Sequence, residues 1–149
     1  MLRKLTRSEV DRVQGMLWDR FGSEFEGDFA LFSKAEKDGE KVFLYSGASV
    51  PDVASEWIGL HVGNVTSAGF FPTIEGAQLI GGRAAKAVVS VSRAQAHALM
   101  SGGEVGASPG LEGCVLLEYG GRVFGAGVAE KGMITQSVPA SRRLHRIDD

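Results

Sequence analysis

A glycine-rich hairpin near the C-terminus is the sequence feature that most constrains the fold. The stretch "CVLLEYGGRVFGAGVA" places two apolar runs on either side of Gly120-Gly121. This pattern predicts a two-residue hairpin turn, because both turn positions need a positive φ. The second run also contains Gly125 and Gly127. Glycine inside a strand indicates either relief of crowding in a small closed sheet or close approach of a large ligand to the backbone, and the sequence favours neither.

The first half of the chain predicts two helices separated by strands. Thr6 and Glu9 have the spacing of a capping box, and apolar residues at helical spacing follow, which predicts a helix over residues 8–21. The runs "FALFSK" and "KVFLYSG" around a charged turn predict a hairpin, and "WIGLHVGNV" predicts a further strand broken by glycines. Thr73 follows a proline and can cap a second helix over residues 74–80.

The second half reads as strand, helix, loop, hairpin and strand. "KAVVSV" predicts a strand buried on both faces, Ser92 can cap a helix over residues 93–100, and "MITQSV" is the last strand. This order predicts a small mixed barrel with one packed helix. The expected fold class is therefore α+β: an α/β N-terminal subdomain over residues 1–82 is followed by a small pseudo-barrel over residues 83–149.

Charge divides unequally between the two halves of this acidic chain. The 149 residues have a net charge of −2, with nine Lys/Arg and twelve Asp/Glu in residues 1–84, and seven and six in residues 85–149. From Lys131 to Ile147 there is no acidic residue. Such a tail either is a solvated terminus or attracts a polyanion locally.

No motif has the spacing of a catalytic, metal or cofactor site. The three histidines, His61, His97 and His145, lie far apart in sequence, no P-loop or complete dinucleotide fingerprint is present, and the single cysteine excludes an intrachain disulfide. We therefore expect a protein that is not an enzyme and uses no cofactor. No apolar run is long enough to span a bilayer, and the N-terminus has charge where a signal peptide has its apolar core, so the expected compartment is the cytoplasm, without a membrane partner.

The second half of the chain resembles the PUA domain, a small pseudo-barrel that binds RNA. The matching segments are "KAVVSVSRAQAHALMSGGEV" followed by "LEGCVLLEYGGRVFGAGVA", and their order along the chain is part of the resemblance. The preceding segment "LHVGNVTSAGFFPTIEGAQLIG" is similar to the region before the PUA domain in two groups of proteins. One group is the Sun-family RNA cytosine-5 methyltransferases, and the other is a small ribosome-biogenesis factor. The resemblance covers residues 56–143. It implies non-enzymatic binding of structured RNA, either rRNA or tRNA, in ribosome assembly or RNA modification.

The resemblance and the positive charges together give the candidate RNA-binding residues. Many PUA domains carry a basic residue after the glycine of their first turn, but this chain has Gly103 there, followed by Glu104. The cations that contact phosphate are then expected elsewhere in the second half. The candidates are Lys86, Arg93, Gly102, Gly103, Arg122, Gly125, Gly127, Lys131, Arg142, Arg143 and Arg146.

Two further expectations concern partners and aromatic residues. The alternative to an RNA-binding protein is an adaptor that recruits an RNA-modifying enzyme or a ribosome-assembly protein and has little RNA affinity of its own. Trp18 is expected in the core. Trp57 and Phe70-Phe71 are either core residues or platforms on which unpaired bases stack.

Overall fold

Two five-stranded sheets and three helices make up residues 2–46 and 59–136, which are the residues described by the computed structural model. The first sheet contains β1 (Leu2–Lys4), β2 (Ala30–Glu36), β3 (Gly39–Tyr45), β4 (Leu60–Thr66) and β5 (Gly69–Pro72). The second contains β6 (Val88–Ser90), β7 (Glu104–Gly106), β8 (Gly113–Tyr119), β9 (Arg122–Glu130) and β10 (Met133–Thr135). The helices are α1 (Arg7–Phe21), α2 (Ile74–Gly81) and α3 (Arg93–Met100). One sheet is curled into a half-barrel, and the mixed α+β class expected from the sequence is confirmed.

Helix α1 begins at the capping box that the sequence predicts. The Thr6 hydroxyl accepts the Glu9 N–H at 3.2 Å, and the Glu9 carboxylate accepts the Thr6 N–H at 2.9 Å. At the other end, Gly22 adopts a left-handed conformation with φ 67°, which ends the helix. None of the three helices in the described ranges is long and apolar enough to cross a membrane.

The buried face of α1 excludes Trp18, so the expectation that Trp18 belongs to the core is wrong. Val13, Leu17 and Phe21 are buried and follow one another at intervals of four residues. Trp18 is 56% exposed. Each residue turns an α-helix by about 100°, so the residue after Leu17 projects away from the buried stripe.

The first sheet is a meander whose strands follow one another in chain order. Its order is β1-β2-β3-β4-β5, and all neighbouring strands are antiparallel. Glu36 pairs with Gly39 at the tip of the β2–β3 hairpin, which confirms the predicted turn. Two-residue turns join β2 to β3 and β4 to β5, whereas helix α1 lies between β1 and β2 in the chain.

A bulge in β4 positions helix α2. Val42 pairs with Gly63 and Phe43 with His61, so Val62 is an extra residue on β4. Its carbonyl accepts the Thr73 N–H at 3.0 Å, and Thr73 caps α2 as the sequence predicts.

The close approach of α2 to this bulge requires a glycine at position 76. A Cβ on Gly76 would collide with the Val62 carbonyl oxygen. With glycine there, the first turn of α2 lies directly against the backbone of β4.

The second sheet has a crossed order, β6-β8-β9-β10-β7. Helix α3 connects the two edge strands, and β6 is the one strand here that runs parallel to its neighbour, β8. The β8–β9 hairpin is present as predicted, with Gly120 and Gly121 at φ 61° and 81°. Phe124 is an extra residue on β9, between the pairs Leu117–Gly125 and Glu118–Val123.

Strand β6 lies at an edge of the sheet, which corrects its predicted burial. Val88 and Val89 are half-buried and Ser90 is exposed. The sequence predicts that the run "KAVVSV" is buried on both faces. Val88 packs against the shared core and Val89 against the cluster under α3, so each face is covered in part but neither valine is fully buried.

The two halves of the chain share a hydrophobic core. Cys114 and Leu116 of β8 belong to the same buried cluster as Leu17, Val42 and Ile80 from the first half. A second cluster forms between α3 and the inner face of the second sheet, with Leu99, Val115 and Leu117 among its members.

Polar contacts also join the halves. The Arg20 guanidinium of α1 donates to the carbonyl oxygens of Glu112 and Cys114, both at 2.7 Å. The Phe21 carbonyl accepts the N–H groups of Ala85 and Lys86 at 2.8 and 3.0 Å. Helix α1 is therefore fixed against the second sheet as well as the first.

Candidate nucleic-acid interface

The tip of the β8–β9 hairpin and the start of α3 lie at the same end of the second sheet. Strand β6 runs parallel to β8, with Ser90 opposite Glu118, and the Val91 N–H donates to the Glu118 carbonyl at 2.9 Å. Ser92 then caps α3 through a capping box with Gln95, as the sequence predicts for this cap. Arg93, the first residue of α3, consequently emerges beside the hairpin tip.

Tyr119 and Arg122 lie on the face of the sheet that α3 covers. The two residues are a directly opposed pair at the hairpin tip, so their side chains project to the same side. Val115 and Leu117, four and two residues before Tyr119, pack with Leu99 of α3. Strand alternation therefore places Tyr119 on the α3 face, beyond the end of the buried cluster. We call Arg93, Tyr119, Arg122 and the N-terminus of α3 the hairpin-end surface.

The hairpin-end surface is exposed and carries unpaired positive charge. Within residues 2–46 and 59–136, none of the ion pairs involves Arg93 or Arg122. The first turn of α3 contains no acidic residue, so the partial positive charge of the helix N-terminus is not neutralised locally. Glu118 is the nearby carboxylate, and it accepts a hydrogen bond from the Ser90 hydroxyl at 3.0 Å. Tyr119 is 46% exposed and offers an aromatic face opposite Arg122 on the neighbouring strand.

Other predicted cations lie away from this surface. Lys131 follows the last residue of β9, so it is roughly 30 Å from Arg122 along the strand. Lys86 lies before β6 next to α1, where its Nζ is 3.4 Å from the Asp19 carbonyl oxygen. Both side chains belong to exposed residues, but they do not form one cluster with Arg93 and Arg122.

Gly102 and Gly103 lie at the opposite end of α3 from Arg93. The eight residues of this helix separate its two ends by about 12 Å. Gly102 has φ 90°, and the Gly103 N–H donates to the Ala98 carbonyl at 2.8 Å. These contacts give the two glycines a role in ending α3 before β7 begins.

The glycines of β9 do not present an open backbone. Gly125 and Gly127 are both buried. A Cβ on Gly125 would collide with the Gln136 side chain, and one on Gly127 would lie 2.6 Å from the Thr135 carbonyl oxygen. Crowding against the Thr135 carbonyl accounts for Gly127, which also lines the cleft between the two sheets, and the Gln136 side chain fills the space beside Gly125. An RNA-binding role for these two glycines stays a prediction.

Four further candidates fall outside the described residues: Trp57, Arg142, Arg143 and Arg146. The remaining aromatic candidates, Phe70 and Phe71, differ in burial. Phe70 is buried in the shared core, whereas Phe71 is half-buried and lines a cleft between the two sheets.

That cleft has a volume of about 380 Å³ and contains polar groups from both halves. His61 Nε2 lies 3.1 Å from the Gly63 carbonyl oxygen and 3.0 Å from Asn64 Oδ1. The Gly63 carbonyl oxygen is an acceptor, and so is Asn64 Oδ1 with the side-chain amide assigned in this orientation. His61 Nε2 therefore carries the proton. Cys114 also lines the cleft, and burial raises the pKa of its thiol to about 12. The thiol is therefore protonated at neutral pH, which makes it a poor nucleophile.

Metal-ligating residues do not cluster in the described part of the chain. Across residues 2–46 and 59–136, no three His, Cys, Asp or Glu side chains are grouped so that they could hold a metal ion. The cleft combines the hydrogen-bonded histidine and the protonated thiol with apolar walls such as Pro72 and Ile74. Three further polar residues line it: Asn64, Thr73 and Glu75.

Two features of the hairpin-end surface were not predicted from the sequence. Tyr119 precedes the Gly-Gly turn, and its position at a hairpin tip was a usable signal of exposure. The placement of Arg93 at the same end of the sheet as Arg122 had no local signal, because it depends on the parallel pairing of β6 with β8. No protein-family model matches the sequence, and no curated protein matches it at a significant level. The resemblance to the PUA family therefore stays a prediction.

Proposed function

We propose that the chain is a non-enzymatic protein that binds structured RNA, either rRNA or tRNA, during ribosome assembly or RNA modification. In this proposal residues 83–149 form a PUA-like barrel packed on an α/β subdomain over residues 1–82. The order strand, helix, short strand, hairpin and strand in the second half supports this view, since it is the order on which the resemblance depends.

The hairpin-end surface is the observation that carries the proposal. Arginine donates planar pairs of hydrogen bonds that match phosphate oxygens, and a helix N-terminus attracts anions through its free N–H groups. Arg93 and Arg122 have no carboxylate partner in the described ranges, so phosphate binding does not require an existing ion pair to break. Tyr119 supplies a face on which an unpaired base stacks.

Structured RNA suits this surface better than an extended duplex. Proteins read folded RNA largely through its shape, its phosphates and its unstacked bases. Two arginines, one helix end and one aromatic ring cover a small area, so they match a loop or a bulge where a few phosphates and one exposed base come together.

Salt dependence of binding tests the proposal directly. The full chain is titrated into fluorescently labelled tRNA, and separately into rRNA fragments, and fluorescence anisotropy is recorded across a salt series. Each phosphate that the protein neutralises releases bound counterions, so log affinity falls linearly with log salt concentration by about one unit per contact. Two or more such units are expected. Absence of binding at low salt would overturn the proposal.

The C-terminal arginines are tested in the same assay. Replacing Arg142 and Arg143 by alanine removes two positive charges from a segment without acidic neighbours. If this segment contacts phosphate, affinity falls uniformly across RNA sequences and the salt dependence becomes shallower. Unchanged binding would remove these residues from the interface and leave the hairpin-end surface as the site.

A further inference from the structure

A second surface lies on the first half of the chain, between α1 and residues 22–29. It is an open groove of about 870 Å³. Its apolar lining comes from Val10, Gly15, Trp18 and Phe29, which we call the Trp18 groove. None of the candidate RNA-binding residues lines it.

The Trp18 groove is preformed because hydrogen bonds fix both of its walls. The Gln14 side chain of α1 donates to the Phe25 carbonyl and accepts the Phe25 N–H, both at 2.9 Å. The Phe25 ring packs edge-on against Phe29 and Phe70, with ring centroids 6.1 and 6.2 Å apart. The contact with Phe25, which belongs to the shared core, therefore fixes the position of the Phe29 ring.

Space and exposure both favour occupation of this groove. Trp18 is the most exposed of the large hydrophobic side chains in the described ranges. Gly15 lies one helical turn before it, and a Cβ at that position would meet no atom within 4 Å. Tryptophan is enriched among the residues that dominate protein–protein binding.

The charge around the groove indicates what kind of partner it accepts. Asp11, Glu24 and Asp28 line it, against the single cation Arg7. None of these four takes part in an ion pair within residues 2–46 and 59–136. A negatively charged rim repels nucleic acid and attracts positive side chains.

We propose that the Trp18 groove is a docking site for a cationic segment of a partner protein, in which arginines alternate with apolar residues. An arginine stacks on the Trp18 indole as a cation–π contact. An apolar side chain occupies the space above Gly15 and against Phe29, and further basic residues face Asp11 and Asp28. This proposal is independent of RNA binding, because it uses a different surface and the opposite charge.

The test uses the full chain and a fluorescently labelled peptide of alternating leucine and arginine. Peptide binding is measured by anisotropy, and the Trp18 indole N–H is followed by NMR after Trp57→Phe has left a single tryptophan. A peptide of alternating leucine and glutamate controls for charge, and an oligouridylate of similar length tests for RNA. Leu79→Ala is the matched control variant, because Leu79 is also an exposed apolar residue but lies on α2.

Saturable binding of the arginine peptide is expected, together with a shift of the Trp18 signal that weakens as salt is added. Trp18→Ala should reduce affinity about tenfold or more, whereas Leu79→Ala should leave it unchanged. Asp11→Asn with Asp28→Asn should also weaken binding, which keeps the test valid if Trp18→Ala disturbs α1. Equal affinity of the Trp18→Ala and parent proteins would overturn the proposal. A Trp18 shift caused by the oligouridylate and not by the arginine peptide would overturn it as well.

Discussion

The two sheets of this protein have the same number of strands but differ in how many of the positive side chains around them form ion pairs with carboxylates. In the first sheet, Arg3 pairs with Glu9 at 2.7 Å and Lys41 with Glu36 at 3.2 Å. At the second sheet, Arg93 and Arg122 stay without carboxylate partners in the described part of the chain. Lys4 and Arg7 of the first half also lack a carboxylate partner in the described ranges, but in residues 85–136 none of the four cations has one, so the halves differ in the share of their cations that carboxylates hold.

The sheets also differ in how their connections form. The first is a meander built from neighbouring segments, whereas the second needs α3 to carry the chain from one edge strand to the other. The pairing of β6 with β8 puts Arg93 at the same end of this sheet as Arg122, although 28 residues separate them in the chain. The candidate site thus depends on the non-local topology of the second sheet, and the first sheet offers no equivalent.

The largest expected effect concerns the point where α2 meets the bulge of β4. Gly76→Ala places a methyl group against the Val62 carbonyl oxygen, and we expect a loss of about 3 kcal/mol in the free energy of unfolding. Gly106→Ala in β7 is the control, because a Cβ there meets no atom within 4 Å. Urea denaturation measures both variants. Equal stability of the two would show that α2 does not lie this close to β4.

The next effect tests the polar connection between the halves. Arg20→Met removes both hydrogen bonds from α1 to the carbonyl oxygens of Glu112 and Cys114, and about 2 kcal/mol of stability should be lost. Arg12→Met, at an exposed position of the same helix, serves as the control. Thermal unfolding followed by circular dichroism makes the comparison, and similar midpoints for the two variants would contradict the bridging role of Arg20.

The two capping boxes should respond differently to acid. Thr6→Ala and Ser92→Ala should each cost about 1 kcal/mol at pH 7. The hydrogen bond from Arg3, followed by the Thr6 N–H, lowers the pKa of Glu9 to about 2, below the ordinary value of 4.5. A depressed carboxyl pKa stabilises the fold above pH 4.5, and this contribution disappears as pH falls from 4.5 towards 2.

The second box has no such dependence, because its Gln95 does not titrate. Stability measured from pH 7 to pH 2 for the parent and for Glu9→Gln isolates this difference. The acid-dependent loss should be smaller in Glu9→Gln, and Gln95→Ala should leave the shape of the pH profile unchanged. Parallel profiles for the parent and Glu9→Gln would contradict the lowered pKa.

The smallest effect tests whether the Trp18 groove is open. Gly15→Ala should raise stability by about 0.5–1 kcal/mol, because alanine is the better helix former and the added Cβ meets no neighbouring atom. Gly22→Ala is the contrasting variant, since Gly22 has a positive φ and lies close to Ala85, and it should destabilise the fold. A destabilised Gly15→Ala protein would indicate that this side of α1 is covered.

Sequence reasoning succeeded where the signal was local. Thr6–Glu9 predicted the start of α1, Thr73 predicted the start of α2, and Gly120-Gly121 predicted the β8–β9 hairpin, because each depends on residues within a few positions of one another. These signals were enough to predict the mixed α+β class and most of the element order.

The failures concern burial and proximity, which depend on the whole fold. Trp18 looked like a core residue, but its neighbour Leu17 occupies the buried stripe. The sequence left open whether Gly125 relieves crowding or meets a ligand, and in the structure the Gln136 side chain lies against it. Among the predicted cations that the structure describes, Arg93 and Arg122 lie at one end of the second sheet, and the β6–β8 pairing that places them there has no local pattern in the sequence.

Matched removal of charge from the two sheets tests the central claim most directly. One variant carries Arg93→Gln and Arg122→Gln, and the other carries Lys41→Gln and Arg83→Gln, whose parent side chains are paired with Glu36 and Glu26. Both lose two positive charges, and both are titrated into labelled tRNA across a salt series. We predict that the first variant binds about tenfold more weakly, with a salt slope reduced by about two units, and that the second binds like the parent. Equal weakening in both variants, or none in the first, would contradict the assignment of RNA binding to the hairpin-end surface.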